Sequence, residues 1–261
     1  MTAGPVAHWV RFLDQGEIRF GTLERDQQRV RVCEGDMFAG ALPTERTVAL
    51  ADVQLLAPVE PGKIIALWNN FHALGARLGL PDPAEPLYLV KASTSTLAPG
   101  GVIRKPRCDG KVVFEGELAI VIGKRASGVS ESRALDHVLG YTCANDVTLA
   151  DILHRDPTFP QWARAKGFDT FCPFGPAVAT GIDPATLAVK TILNGELRQD
   201  YPISDMRFSA AQLVSLISQD MTLEPGDLIL CGTSVGVGSM KPGSTIEVEI
   251  AGVGRLRNRF E

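Results

Sequence analysis

The 261 residues, 45% hydrophobic and 21% charged, are enough to bury a sizeable core, as one large domain or one domain with an appendage. Lys and Arg number 26 against 30 Asp and Glu, and the net charge of -4 gives no electrostatic reason to expect nucleic acid or an anionic membrane as partner. No apolar run approaches the ~20 residues of a membrane helix, no signal-peptide pattern opens the chain, and five scattered cysteines lack a CxxC pair, so a cytoplasmic protein with reduced thiols is expected.

In chain order, residues 6–13, 18–23 and 30–33 read as short strands punctuated by Gly16 and Gly35. Residues 52–56 lead into Pro58 and Pro61-Gly62, a strong break. Residues 1–57 are therefore expected to form a small β-rich module, and residues 58–261 a larger unit. Residues 63–68 read as a buried strand and 69–79 as a short helix, with Asn69 or Asn70 as cap and Gly79 as terminator. Leu87–Lys91 is a further strand. Residues 113–123 are rich in β-branched and aliphatic side chains and predict one continuous strand closed by Gly123. Residues 130–139 predict a helix with Ser130 as cap; 140–144 are strand-like, and 147–153 predict another helix. Ala188–Leu193, residues 228–231 and Thr245–Ile250 return to strands, with Asn194-Gly195 as a type I′ hairpin signal and residues 210–218 as a helix. Strands outnumber helices and no βαβ repeat is visible, so the expected class is mixed α+β.

Chemistry concentrates at Glu115 and Glu117. On a strand they share a side, roughly 6.5–7 Å apart, with Val113, Ala119 and Val121 as same-side neighbours. Two like charges in an apolar setting are costly unless one is protonated or a cation lies between them, although an exposed edge strand would leave the pair merely solvated. Asp146, where 140–144 ends, is a candidate third ligand, or else the cap of the following helix. No Cys or His cluster offers soft ligands, so an oxygen-ligated ion is favoured over zinc or copper. Asp151 and His154 are a rival metal pair, or a surface hydrogen-bonded pair. His72, followed by Gly75 and Gly79, reads as a general base on a mobile segment or as a structural histidine. Lys166 can neutralise a substrate carboxylate or a developing enolate, or be a solvated lysine. Residues 232–238 run into the turn Lys241-Pro242-Gly243 where a phosphate-binding helix would start, so a loop offering backbone N–H groups to a carboxylate is preferred to a nucleotide site.

Phe114-Glu115-Gly116-Glu117-Leu118-Ala119, Gly140-Tyr141-Thr142 leading to Ala144-Asn145-Asp146-Val147-Thr148, Lys166-Gly167-Phe168-Asp169, Asn194-Gly195-Glu196, Leu223-Glu224-Pro225-Gly226-Asp227 and Gly232-Thr233 form an ordered series. Together they resemble the fumarylacetoacetate hydrolase family over roughly residues 60–261, and the first ~57 residues resemble the small N-terminal module of many members. The resemblance implies a mixed β-roll catalytic fold, usually a homodimer. It implies Mg2+ or Mn2+ (Ca2+ in some members) on Glu115, Glu117 and Asp146, and substrate contacts from Lys166, Gly232 and Thr233. Its substrates are small 2-oxo or 1,3-diketo acids. Members hydrolyse carbon–carbon bonds, decarboxylate, or isomerise unsaturated oxo-acids, often in aromatic catabolism, with a cation stabilising an enolate. Hydrolytic members resemble one another in a lid histidine followed three residues later by glutamate. Here His72 matches with a one-residue gap and position 75 is glycine; Ala150 replaces a usual arginine.

The expected activity is therefore metal-dependent hydrolysis of an acylpyruvate- or fumarylpyruvate-like acid, with His72 activating water. The alternative is an isomerase or decarboxylase of a 2-hydroxymuconate-type diacid, toward which Gly75 tilts the reading. The branch resembled is that of 2-hydroxyhepta-2,4-diene-1,7-dioate isomerases and acylpyruvases.

Overall fold

A computed structural model describes residues 6–24 and 27–261. Ala7–Asp14, Glu17–Glu24, Arg29–Glu34 and Leu42–Ala49 form an antiparallel meander. The first three match the predicted runs closely. The fourth carries Pro43, Glu45 and Arg46 and lacks apolar alternation, because it is the sheet's outer edge, where proline and charge are tolerated. Ala7–Asp14 also pairs with Cys172–Thr180, so strand pairing crosses the expected division near residue 57.

The resulting 12-stranded sheet continues through Cys172–Thr180, Val138–Asn145, Gly116–Ile122, Leu228–Leu230, Ile64–Trp68 and Leu87–Lys91. Gly116–Ile122 is buried on both faces. Leu118, Ile120 and Ile122 pack with Val189, Val248 and Ile250 of a second, five-stranded sheet, and with Leu213 and Ile217 of the helix Ala210–Asp220. Ala119 and Val121 face the other way, toward Ile64, Ala66, Phe174 and Leu230. Every position of this strand is therefore apolar except where the site begins. Asn194 and Gly195 adopt φ of 53° and 83°, as the type I′ hairpin requires. The helix Ala210–Asp220 starts with a capping box between Ser209 and Gln212. The class is mixed α+β, with a β-rich N-terminal part.

Three local predictions are corrected. Residues 113–123 are two strands, Val112–Phe114 and Gly116–Ile122, in different sheets, and the chain changes sheet at Glu115. Residues 130–139 hold one helical turn, Glu131–Ala134, before a 3-10 turn and the strand Val138–Asn145, whose start is drawn into the sheet by pairing of Val138 with Ile122. Residues 147–153 split into the strand Thr148–Leu149, paired with Val112–Phe114, and the turn Ala150–Leu153. The helix predicted at 69–79 is His72–Leu78. Gly79 ends it with a φ of 67°, but Phe71 rather than Asn69 or Asn70 precedes it, without a side-chain cap. Among the described residues, no helix is long and apolar enough to cross a membrane.

Candidate functional site

Antiparallel register assembles the site. Gly116 lies opposite Asn145, and the Asp146 N–H donates to the Glu115 carbonyl at 2.8 Å, so Asp146 meets Glu115 just beyond the paired strands. Asn145 Oδ1 accepts from the Glu115 N–H at 3.0 Å and fixes the sheet crossing. Carboxylate oxygens of Glu115, Glu117 and Asp146 lie within 4.8 Å of one another. The pair is thus no solvated edge: Glu117 and Asp146 are wholly buried, and the Glu115 side chain is 14% exposed. Asp146 caps no helix, since Leu149 precedes the nearest one.

Lys166 ends the short helix Trp162–Lys166 and is buried. Its Nζ donates to Asp146 Oδ2 at 2.7 Å, Thr148 Oγ1 at 2.7 Å and Glu115 Oε2 at 3.0 Å. Thr148 Oγ1 in turn donates to Glu115 Oε1 at 3.0 Å. On the opposite side, the Gly232 N–H donates to Glu117 Oε2 at 2.7 Å. The loop predicted to offer backbone N–H groups to a carboxylate does so, and the carboxylate is the protein's own. Gly232 has a φ of 89°, which glycine adopts without strain. Thr233 Oγ1 donates to the Gly116 carbonyl at 3.0 Å and accepts from Gln199 Nε2 at 2.9 Å, which ties the loop to the Glu115–Glu117 segment.

The charges do not balance. Three carboxylates face two ammonium groups, because a second lysine, Lys91, is buried beside Asp146 Oδ1 and donates to the Phe171 carbonyl at 3.0 Å. Burial, followed by the charges of Asp146 and Glu115, pushes the Glu117 carboxyl well above the usual range. Burial also raises Glu115, against the pull of Lys166. For Asp146 burial acts upward, but Lys166 and Lys91 outweigh it and hold the carboxyl low. Lys166 is raised: the carboxylates of Asp146 and Glu115 overcome its burial. One oxygen, Glu117 Oε1, is buried and has no hydrogen-bond partner. A buried acceptor left unpaired beside surplus negative charge suits a hard divalent cation, and three carboxylates are its ordinary donor set. The residues fit Mg2+ or Mn2+.

His72 stands apart from this cluster. Its side chain is 55% exposed, 3.9 Å from Asp82 and, through Nδ1, 3.3 Å from Arg207 Nη1. Asp151 and His154 are not brought into a metal cluster among the described residues; Asp151 accepts from the Lys111 N–H instead. Sequence reasoning missed Lys91, Gln199 and Arg207. Only the apolar run before Lys91 hinted that its strand ends inside the molecule.

Residues 63–261 match the family described as fumarylacetoacetate (FAA) hydrolase C-terminal. The chain belongs to the fumarylacetoacetate hydrolase family. Residues 7–58 match an Rv2993c-like N-terminal module. An Archaeoglobus fulgidus protein is 41% identical over 248 residues, 95% of this chain and 94% of that one. The oxaloacetate tautomerase YisK of Bacillus subtilis is 36% identical, covering 81% of this chain and 74% of its own. The crystal structure of 2-hydroxyhepta-2,4-diene-1,7-dioate isomerase from Mycobacterium marinum superposes with a TM-score of 0.89 at 38% identity, covering 97% of this chain and 98% of that one. Maleylpyruvate hydrolase from Sphingobium sp. SYK-6, solved with manganese and pyruvate, gives 0.80 at 28% over the same shares. Members of the fumarylacetoacetate hydrolase family thus include isomerases, tautomerases and hydrolases, and this chain is similar to all three.

Proposed function

We propose that this family member is a divalent-cation-dependent isomerase of enolic or unsaturated 2-oxo acids, an enzyme of proton transfer rather than of water addition. The observation that carries the reading is at Gly75. A Cβ built there overlaps the Arg207 guanidinium and comes within 2.8 Å of Asn69 Oδ1. A side chain at 75 would require the Arg207 guanidinium and the Asn69 amide to move, and with glycine there the histidine–glutamate pair that would activate water is absent. Mg2+ or Mn2+ held by Glu115, Glu117 and Asp146 would supply Lewis-acid polarisation of a 2-oxo acid's adjacent oxygens.

The chain's own residues supply the rest. Lys166 holds Glu115 and Asp146 in place and presents a positive charge toward the negative charge that develops when the enol oxygen loses its proton. The Gly232-Thr233 loop fixes Glu117 and borders the substrate. His72, with Nδ1 engaged by Arg207, would carry the exchanging proton on Nε2. In such an isomerisation one proton leaves the enol oxygen, another reaches carbon, and no water is consumed. The same reading has a small oxo-acid as partner, a homodimer as working assembly, and residues 1–57 as an accessory module.

The second reading is hydrolysis of an acylpyruvate- or fumarylpyruvate-like acid, favoured by the likeness to the maleylpyruvate hydrolase. Turnover of a 2-oxo-acid panel in ¹⁸O-labelled water separates the two. Isomerisation predicts a product of unchanged mass with no label in a carboxylate; a cleaved product with a labelled carboxylate would replace this reading with hydrolysis.

A further inference from the structure

Two tryptophans near the carboxylates have no part in the proposed chemistry. Trp68 is the last residue of the strand Ile64–Trp68, and Trp162 is the first of the helix Trp162–Lys166. Their ring centroids are 5.1 Å apart, with the planes at 48°. Both residues are half-buried. At that tilt neither ring fully covers the other, so the pair keeps apolar surface open to a further flat group.

Two independent routes through the fold place the pair beside the cluster. Across the large sheet, Leu230 is paired with Ala119 on one side and Ala66 on the other, and the three pack on one face. Side chains alternate, so two residues along each strand Glu117 and Trp68 project from that same face. Gly232 lies between them. Its N–H donates to Glu117 Oε2 at 2.7 Å, and a Cβ built on it would lie 3.4 Å from the Leu67 carbonyl oxygen and from Asn70 Cβ. Two strand spacings, about 9.5 Å, therefore separate Glu117 from Trp68. Along the helix, Trp162 precedes Lys166 by four residues, so the two share a face and stand about 6 Å apart along the axis. Lys166 Nζ donates to Asp146 and Glu115. The strand leading from Glu117 and the helix leading from Lys166 thus end on the same pair of rings.

We infer that Trp68 and Trp162 form an aromatic subsite that receives the planar, conjugated or aromatic tail of an oxo-acid whose reacting end lies at the carboxylate cluster. This subsite rests on the oxo-acid reading above and adds to it a specificity determinant, since the rings select the tail and leave the reacting end to the cluster. An indole has a negative face and a positive edge, so a flat π-system gains offset-stacked or edge-to-face contact that a saturated tail of equal size does not.

The test is calorimetric binding of pyruvate, phenylpyruvate and cyclohexylpyruvate to the Mn2+-loaded protein; the last two carry a flat and a puckered ring on the same oxo-acid. Phenylpyruvate is expected to bind about 3- to 10-fold tighter than cyclohexylpyruvate, the range that an aromatic pair contributes beyond buried area. A pocket that recognises apolar area alone would treat the two alike or favour the larger cyclohexyl ring. Trp68→Leu and Trp162→Leu should each abolish the preference, and Trp68→Phe, which keeps a ring, should retain part of it. Should one leucine variant fail to fold, the other carries the same expectation. No preference in the unaltered protein, binding of pyruvate but of neither ring-bearing acid, or a preference undiminished in a folded leucine variant would overturn the subsite alone. Failure of all three acids to bind would overturn the oxo-acid reading itself.

Discussion

At the scale of single residues, each carboxylate of the trio has a different environment. Glu117 meets one backbone N–H, Glu115 a lysine and a threonine, and Asp146 two lysines. Lys91 is the least expected member, buried with the Asp146 carboxylate and two backbone carbonyls as its hydrogen-bond partners among the described residues. Removing one partner of a buried ion pair strands the other, at a cost of about 3–5 kcal/mol. Lys91→Met should therefore lower the unfolding free energy of the chelator-treated protein by about 3 kcal/mol in a urea titration; an unchanged midpoint would show that Asp146 does not depend on it. Glu115 and Glu117 were legible as a pair that needs a proton, a cation or solvent, and Asp146 as a candidate third ligand or a helix cap; the structure brings the three carboxylates together. Lys91 was not, because a lysine ending a strand usually reaches solvent, and only the packing of Phe171 and Asp146 around it reveals otherwise. His72 was legible as a residue type, but its exposure and its Arg207 neighbour depend on chain 135 residues away.

At the scale of elements, the glycine between the two glutamates has a specific cause. Side chains alternate along a strand, so while Glu115 and Glu117 face the site, position 116 faces the second sheet. A Cβ there would overlap the Thr191 side chain and sit 3.3 Å from Val248 Cγ2. The Gly116 backbone also receives Tyr201 Oη at 2.5 Å and Thr233 Oγ1 at 3.0 Å on its carbonyl, and its N–H donates to Gln199 Oε1 at 3.1 Å. Gly116→Val should push the sheets apart at the site, costing about 3 kcal/mol or more of stability. A variant with the unaltered melting temperature would remove this packing account. The strand itself was readable from composition, whereas its break at Glu115 was not. The periodicity of residues 113–123 is continuous, and only the pairing partners of Val112–Phe114 on one side and Gly116–Ile122 on the other divide it. Residues 130–139 and 147–153 misled for a related reason: helix-compatible segments were claimed by neighbouring strands.

At the scale of the whole molecule, the site is a place where separate parts of the chain converge. Residues 115–117 cross between sheets, Asp146 follows the neighbouring strand Val138–Asn145, Lys166 arrives on a short helix, and Gly232 follows Leu228–Leu230. The mixed α+β class and the N-terminal strands were legible because turn signals and strand runs are local. The joining of Ala7–Asp14 to Cys172–Thr180 was not, since pairing partners 173 residues apart leave no local trace in the sequence. All of these parts converge on a buried cluster with one carboxylate more than its lysines balance, which a divalent cation would complete. Calorimetric titration of chelator-treated protein with Mn2+ tests this most directly, for the unaltered chain and for Glu117→Gln, an isosteric change that removes one charge. One ion per chain is expected, with affinity in the variant weakened beyond the roughly 10–100-fold that changes in outer-shell groups cost. Absence of binding in the unaltered protein, or equal affinity in a folded Glu117→Gln, would contradict it.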